Sequence, residues 1–222
     1  MPDDLEKRIL YRDSNIIILD KPAGLAVHGG PSTPVSLENM LEVLAHGRFG
    51  APQPVHRLDR DTSGCLTLAR HAKAVSRLGR LFRTGKVKKC YWAIVEGEMS
   101  QDSGFVDLPL RKVNKITGWR MVVDPRGQRA ATSWRVAGKS GSKIWLELEP
   151  ETGRTHQIRV HCAEGLKSPI LHDPIYGHGG GVMRLMARRI SIPYWAERPP
   201  IVIEAPPPSH MRQELSACGW TE

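Results

Sequence analysis

Between Lys89 and Leu148 the chain falls into five short pieces of strand character: Lys89–Val95, Phe105–Leu108, Arg120–Val123, Thr132–Ala137 and Lys143–Leu148. Turn-forming residues separate them. Pieces this short bury apolar side chains only by pairing edge to edge, with one face of the resulting sheet laid on other elements. More strands are legible on either side. Asn15-Ile-Ile-Ile-Leu19 is rich in β-branched residues, Pro54–Leu58 and Cys65–Ala69 flank a polar turn, and Met183–Ile190 and Pro200–Glu204 close the chain. Helical spacing is confined to three places. Ser36 is positioned to cap a helix running to about His46, with Leu37, Met40, Leu41 and Leu44 on one face and Gly47 as its stop. His71 to Arg83 carries Val75, Leu78, Leu81 and Phe82 on one face, with Gly85 beyond. Thr152 or Thr155 caps a third helix through His161 and Cys162, ended by Gly165. The expected architecture is α+β: a mostly antiparallel mixed β-sheet with flanking helices, in a single domain over residues 1–222.

Composition narrows the partners. Hydrophobic residues make up 40% and charged residues 25%, an ordinary globular balance that excludes a disordered tail, a collagen or a disulfide scaffold. No apolar run approaches the roughly 20 residues that span a bilayer, so no membrane partner is expected. Lys and Arg total 32 against 23 for Asp and Glu, a net charge of +9, which favours polyanions and nucleic acid first among them. The cysteines at 65, 90, 162 and 218 form no C-x-x-C pair, and Met1–Arg8 lacks the apolar stretch of a secretory signal. A reducing cytoplasmic location is expected.

The positive charge is concentrated. From Thr62 to Val95 there is no acidic residue, and Lys73, Arg77 and Arg80 recur at i, i+4 and i+7 on one helical face. Such a face repels itself by some tenths of a kcal/mol per like-charged pair unless a partner offsets it. Either a phosphate backbone or acidic side chains from elsewhere in the fold fill that role.

The densest chemistry lies in His56-Arg57-Leu58-Asp59-Arg60-Asp61-Thr62-Ser63-Gly64, a polar turn between two strands. A kinase catalytic loop is suggested by His-Arg-x-Asp, but a glycine-rich nucleotide loop and Asp-Phe-Gly are missing from the sequence. A Mg²⁺-binding carboxylate pair, Asp59 with Asp61, is opposed by the cations Arg57 and Arg60. A single nucleophilic carboxylate with a cationic partner also fits. For Asp61, Thr62 and Ser63 the bland alternative is a turn that hydrogen-bonds its own backbone. His156 and His161 are five apart, off the metal-binding i, i+4 spacing, and read as hydrogen-bonded helix residues.

This segment resembles the signature of the RluA-type pseudouridine synthases, and three others agree in the same order: Asp20-Lys-Pro-Ala-Gly24 followed by Val27-His28-Gly29, then Lys88–Gly97, then Thr152–His161. The resemblance runs over about residues 9 to 205. It implies an enzyme that isomerises uridine to pseudouridine in a nucleotide flipped into a pocket, with no cofactor and no metal. By the same resemblance Asp59 is the catalytic aspartate, attacking the sugar or abstracting a ribose proton, two routes that stay open. Tyr91 stacks on the base, Arg159 is the guanidinium partner of the aspartate, and Arg57 fills the gap left by the extruded base. Arg60, Lys73, Arg77 and Arg80 are candidate RNA contacts.

The expected substrate is ribosomal RNA, with transfer RNA second; a non-catalytic RNA-binding protein on the same fold is a third reading. A monomer is expected, without the separate N-terminal RNA-binding domain that many family members carry. Two departures from the family pattern stand out. His172-Asp173 replaces the usual Gly-Asp, and Leu185-Met186-Ala187 replaces Leu-His-Ala.

Overall fold

The computed structural model describes residues 5–30, 33–45, 50–115 and 118–222. In chain order its elements are β1 (Ile9–Arg12), β2 (Ile16–Lys21), β3 (Gln53–Pro54), β4 (Ser63–Ala69), α1 (Ala72–Arg83), β5 (Lys88–Glu96), β6 (Ser103–Asp107), β7 (Leu110–Lys115), β8 (Gly118–Val123), β9 (Ala131–Ser140), β10 (Lys143–Pro150), α2 (Gln157–Val160), β11 (Leu185–Ile192), β12 (Ile201–Glu204) and α3 (Ser209–Ala217). The chain forms two compact units, Met1–Lys89 with Ala187–Pro206 and Cys90–Met186 with Pro207–Glu222.

In the first unit β2 is the buried strand that its β-branched run predicts. Ile16, Ile17, Ile18 and Leu19 are all within 1% of full burial, so both faces are covered. β2 lies antiparallel between β1 and β4, with Ile18 opposite Thr67 and Asp20 opposite Cys65. β3 adds a two-residue edge to β4, and β12 pairs with β11 through Arg189–Ile192. α1 sets Ala74, Leu78 and Leu81 into the core. His71 caps it, its Nδ1 accepting the N–H of Ala74 at 3.2 Å.

The second unit is an antiparallel sheet in the order β5-β10-β9-β6, with β7 and β8 forming a separate hairpin. Along β5 the alternation is strict. Tyr91, Ala93 and Val95 join one core cluster with Leu146, Leu148, Ile158 and Cys162. Trp92 instead meets Trp145 edge to face at 4.7 Å, and its indole N–H donates to Glu147. α3 is tied down by the burial of Met211 and Leu215 and by the Arg184–Glu214 ion pair at 2.9 Å.

Several local expectations change in three dimensions. The segment after Ser36 is a 3-10 helix, Glu38–Leu44, because Ser36 Oγ turns to the Asn39 side chain and caps nothing; the predicted stop at Gly47 lies outside the described residues. Of the predicted flanking strand Pro54–Leu58 only Pro54 belongs to a strand, β3, since the His56 side chain, not a neighbouring strand, takes the N–H of Thr67. The third helix begins at Gln157, not at a threonine. His156 adopts φ 53°, and the Gln157 side chain reaches back to accept the N–H of Arg154 and the hydroxyl of Thr152. The helix then widens into a π turn over His161–Gly165. β1, β7 and α3 carry too little hydrophobic periodicity to be read from the sequence. All four cysteines are reduced and buried. Among the described residues no helix is long and apolar enough to cross a membrane.

Gly64 opens β4 at φ 101°, and a Cβ there would overlap the carbonyl oxygen of Ala187. Both the dihedral and the close backbone approach require glycine. Gly64→Ala is expected to cost about 2–4 kcal/mol of stability by chemical denaturation; a cost under about 0.5 kcal/mol would contradict this requirement.

Candidate active site

The Asp59 turn is built from the backbone outward. The N–H of Thr62 closes it onto the carbonyl of Asp59 at 3.1 Å. The carbonyl of Arg60 accepts two further hydrogen bonds, from the N–H of Gly24 at 2.9 Å and from Lys21 Nζ at 3.0 Å. Lys21 is 1% exposed, and its ammonium also donates to the carbonyls of Pro22 at 2.8 Å and Leu25 at 2.7 Å. Three acceptors match the three N–H groups of the charged form. Burial pushes this amine down to about 7, while Asp61, Asp59 and Asp20 pull it back up. The Asp20-Lys-Pro-Ala-Gly24 and His56–Gly64 motifs, far apart in the sequence, are thus one local construction held by Lys21.

His56 secures the other side of the turn. Its Nε2 accepts the N–H of Thr67 at 2.9 Å, which places the ring proton on Nδ1. Its ring stacks on Phe82 of α1, with centroids 4.5 Å apart. Burial, helped by the charge of Lys89, pushes the imidazole down to about 3, so the ring stays neutral. Asp59 itself is half-buried, whereas Arg57 is exposed and has no ion pair among the described residues. Arg60 pairs with its neighbour Asp61 at 3.0 Å.

Tyr91 and Arg159 belong to the second unit. Tyr91 is half-buried on β5, on the core-cluster face and opposite Cys90. Arg159, 3% exposed, is held by Asp173, 0% exposed, in a bidentate pair: Nε to Oδ2 at 2.7 Å and Nη2 to Oδ1 at 2.8 Å. Burial pushes the Asp173 carboxyl up. The hydrogen bonds and charge of Arg159 and the N–H groups of Ile175 and Tyr176 outweigh this and leave it below the ordinary carboxylate range. The Tyr176 ring lies 5.2 Å from the Arg159 guanidinium carbon, and its hydroxyl joins the N–H of Met121 and Nδ1 of His156, each at 2.9 Å. Among the described residues no cluster of three His, Cys, Asp or Glu side chains has metal-site spacing.

Sequence reasoning did not single out Lys21, His56 or Asp173 for a role. Lys21 and His56 lie inside quoted motifs but are chemically unremarkable until their burial is known. Asp173 is flagged only through its neighbour. His172 sits at φ 63°, where glycine is favoured, and its Nδ1 bonds the carbonyl of Gly179 at 2.8 Å; that contact accommodates histidine in a glycine position. Met186, the second departure, is fully buried and acts as packing. His161 is the hydrogen-bonded helix residue expected, joined to Thr132 Oγ1 and the carbonyl of Leu108. On α1, Lys73 and Arg80 are exposed and Arg77 half-buried. None of the three has an acidic partner among the described residues.

The mixed, mostly antiparallel sheet that carries this turn is the fold of solved pseudouridine synthases, a class of RNA-modifying isomerase. A family model described as RNA pseudouridylate synthase matches residues 15–164, and the chain belongs to that family: it is an RNA pseudouridine synthase, as the four motifs imply. An uncharacterised RNA pseudouridine synthase of Zymomonas mobilis is 47% identical over 208 residues, covering 92% of this chain and 95% of the relative. The ribosomal large subunit pseudouridine synthase C of Vibrio cholerae is 35% identical over 226 residues, covering 96% and 70%. Among solved structures, human RNA pseudouridylate synthase domain containing 4 aligns with a TM-score of 0.83 at 26% identity, covering 98% of this chain and 95% of that one.

Two substitutions test the construction. Lys21→Met leaves three carbonyls without their donor and is expected to cost about 1–3 kcal/mol. Because the folded-state pKa is lowered to about 7 from 10.5, the unfolded chain binds more protons between those values, and stability from this group rises with pH there. The wild type's advantage over the variant should therefore grow from pH 7 to 9.5; an advantage that shrinks contradicts the assignment. Asp173→Asn removes the buried charge with which Arg159 is paired and is expected to cost about 3–5 kcal/mol at pH 7. With a lowered carboxylate, that difference should fade as pH drops below the unfolded value of 3.8, which denaturation at pH 7 and pH 3 would check.

Proposed function

We propose that this enzyme isomerises a uridine of ribosomal RNA, with Asp59 as the catalytic carboxylate and Tyr91 and Arg159 in the supporting roles that the family resemblance implies. The observation that carries the reading is the fixing of the Asp59 turn. Its backbone is held by Gly24 and the buried Lys21 ammonium, so the carboxylate is presented without the entropy loss of a mobile loop. Support for a ribosomal substrate comes from the Vibrio cholerae relative, named for the large ribosomal subunit.

The reaction needs no external reactant. The bond from ribose C1′ to uracil N1 breaks, the base turns, and C1′ bonds to C5. The proton on C5 leaves to solvent, and N1 gains one. Asp59 initiates cleavage at the sugar. Tyr91 offers the half-buried ring on which uracil stacks and a phenol for the late proton transfer at C5. Arg159, locked by Asp173, stays protonated where a lysine would lose its charge on burial. The four reduced cysteines are in keeping with the cytoplasm.

Tritium release from RNA labelled at uracil carbon 5 tests the chemistry. Asp59→Asn should lower release by more than about a thousandfold while RNA affinity survives; undiminished release removes Asp59 from the mechanism. Pseudouridine mapping of total RNA with and without the gene tests the substrate. Loss of a ribosomal site is expected, and loss confined to transfer RNA would overturn the ribosomal assignment.

A further inference from the structure

The segment that follows β11, Pro193-Tyr-Trp-Ala-Glu-Arg198, takes no part in the reaction described above, yet it joins the basic face of α1 through a continuous series of cations and rings. The Arg77 guanidinium carbon lies 4.9 Å from the centroid of Tyr194. Tyr194 meets Trp195 edge to face at 4.8 Å. The Arg198 guanidinium carbon lies 5.3 Å from the centroid of Trp195. The segment is anchored, because the Tyr194 hydroxyl donates to Asn15 Oδ1 at 3.3 Å, and the same oxygen meets Nε2 of His71, the capping residue of α1, at 3.2 Å. Pro193 before it and Pro199-Pro200 after it restrict its backbone further.

Lys73, Arg77, Arg80 and Arg198 form no ion pair among the described residues. Of the acids nearby, Glu197 is exposed and forms no ion pair with Arg198 among the described residues, and Asp13, whose charge acts on Tyr194, accepts from the Tyr11 hydroxyl and the N–H groups of Asn15 and Ile16. Tyr194 is buried and serves as the joint, whereas Trp195 is half-buried and Arg198 exposed. A purely structural cation–ring ladder would bury its outer members; here the outer end is open to solvent. Guanidinium and ammonium groups tracking a backbone, interleaved with an indole on which a base can stack, is the arrangement that holds a single strand of nucleic acid without reading its sequence.

We propose that α1 and the Tyr194–Arg198 segment form a docking surface for a single-stranded stretch of the RNA substrate outside the modified nucleotide, with Trp195 as a stacking platform and Lys73, Arg80 and Arg198 as phosphate-binding groups. The proposal rests on the RNA reading above. Arg77 orients Tyr194 and through it Trp195. A duplex keeps its bases stacked on one another and cannot use the indole, so the surface selects unpaired RNA.

Fluorescence anisotropy of the full chain with a fluorescein-labelled, unstructured 12-nucleotide RNA, titrated with salt, tests this. The combined variant Lys73→Gln, Arg80→Gln, Arg198→Gln should lower the slope of log K against log salt by about 2, because each phosphate neutralised on a single strand adds about 0.7 to that slope. Trp195→Ala should weaken binding roughly 5- to 150-fold without changing the slope, Trp195→Phe should restore most of it, and a duplex of the same sequence should be affected by less than about twofold. Thermal melting separates a fold defect in Trp195→Ala from the removal of stacking, and the exposed-charge variant tests the surface independently.

An unchanged slope, or a single-strand affinity within twofold of wild type in a folded Trp195→Ala, overturns the proposal. So does poly-glutamate displacing the RNA at equal affinity, which would point to an acidic protein. If these variants bind as wild type while tritium release is normal, the surface falls and the enzyme reading stands. If binding depends on Trp195 but the wild type releases no tritium, the surface stands and the activity reading falls.

Discussion

The ammonium of Lys21 lies out of water among three main-chain carbonyls, and one of them belongs to the residue after the proposed catalytic aspartate. Taking a charge out of water is costly, and only complete hydrogen bonding together with nearby carboxylates offsets it. Asp59, Asp61 and Asp20 supply that field. The exchange runs both ways: the acids partly offset the burial that drives the lysine toward its neutral form, and the lysine pins the turn that carries two of them. Close packing finishes the job, since Gly64 leaves the turn in a backbone conformation and at a distance from Ala187 that no other residue tolerates.

The second unit solves a similar problem with different groups. Arg159 is fixed by Asp173, and Asp173 by the backbone of Ile175 and Tyr176, so that no polar atom of the carboxylate is left to water. Tyr176 then carries the series outward to His156, whose ring stacks on Trp119 at 5.1 Å in the β7–β8 hairpin. A buried guanidinium is thereby linked, group by group, to an exposed basic ribbon. Removing the acid at the bottom of this series takes away a buried charge paired with the cation above it, in a medium that screens poorly.

Much of this is legible in the sequence. The β-branched run at 16–19 and the helical spacing over 71–83 reappear as β2 and α1, because burial and periodicity act over a few residues. The four motifs mark the family. What stays hidden is non-local. Nothing in Asp20-Lys-Pro-Ala-Gly24 says that its lysine bonds Arg60, nor that the aspartate after His172 clamps Arg159. The threonine caps expected for α2 give way to Gln157, whose side chain competes for the same N–H once His156 turns into the left-handed region. The short 3-10 segment after Ser36 shows the same limit, since apolar spacing fixes which residues point inward and leaves the hydrogen-bond register to the surroundings.

By itself, then, the order of residues determined the class of fold and the sign of the net charge, because charge and hydrophobic period are properties of neighbours in sequence, while the candidate site residues came from the resemblance of four motifs to a family. Only the folded molecule decided which lysine carries no solvent, which acid partners which guanidinium, and that the basic helix has no acidic complement among the described residues but does have an indole and an arginine at its flank. Those outcomes depend on which distant segments exclude water from one another, and the energy of a polar group is set by that exclusion rather than by its place in the chain.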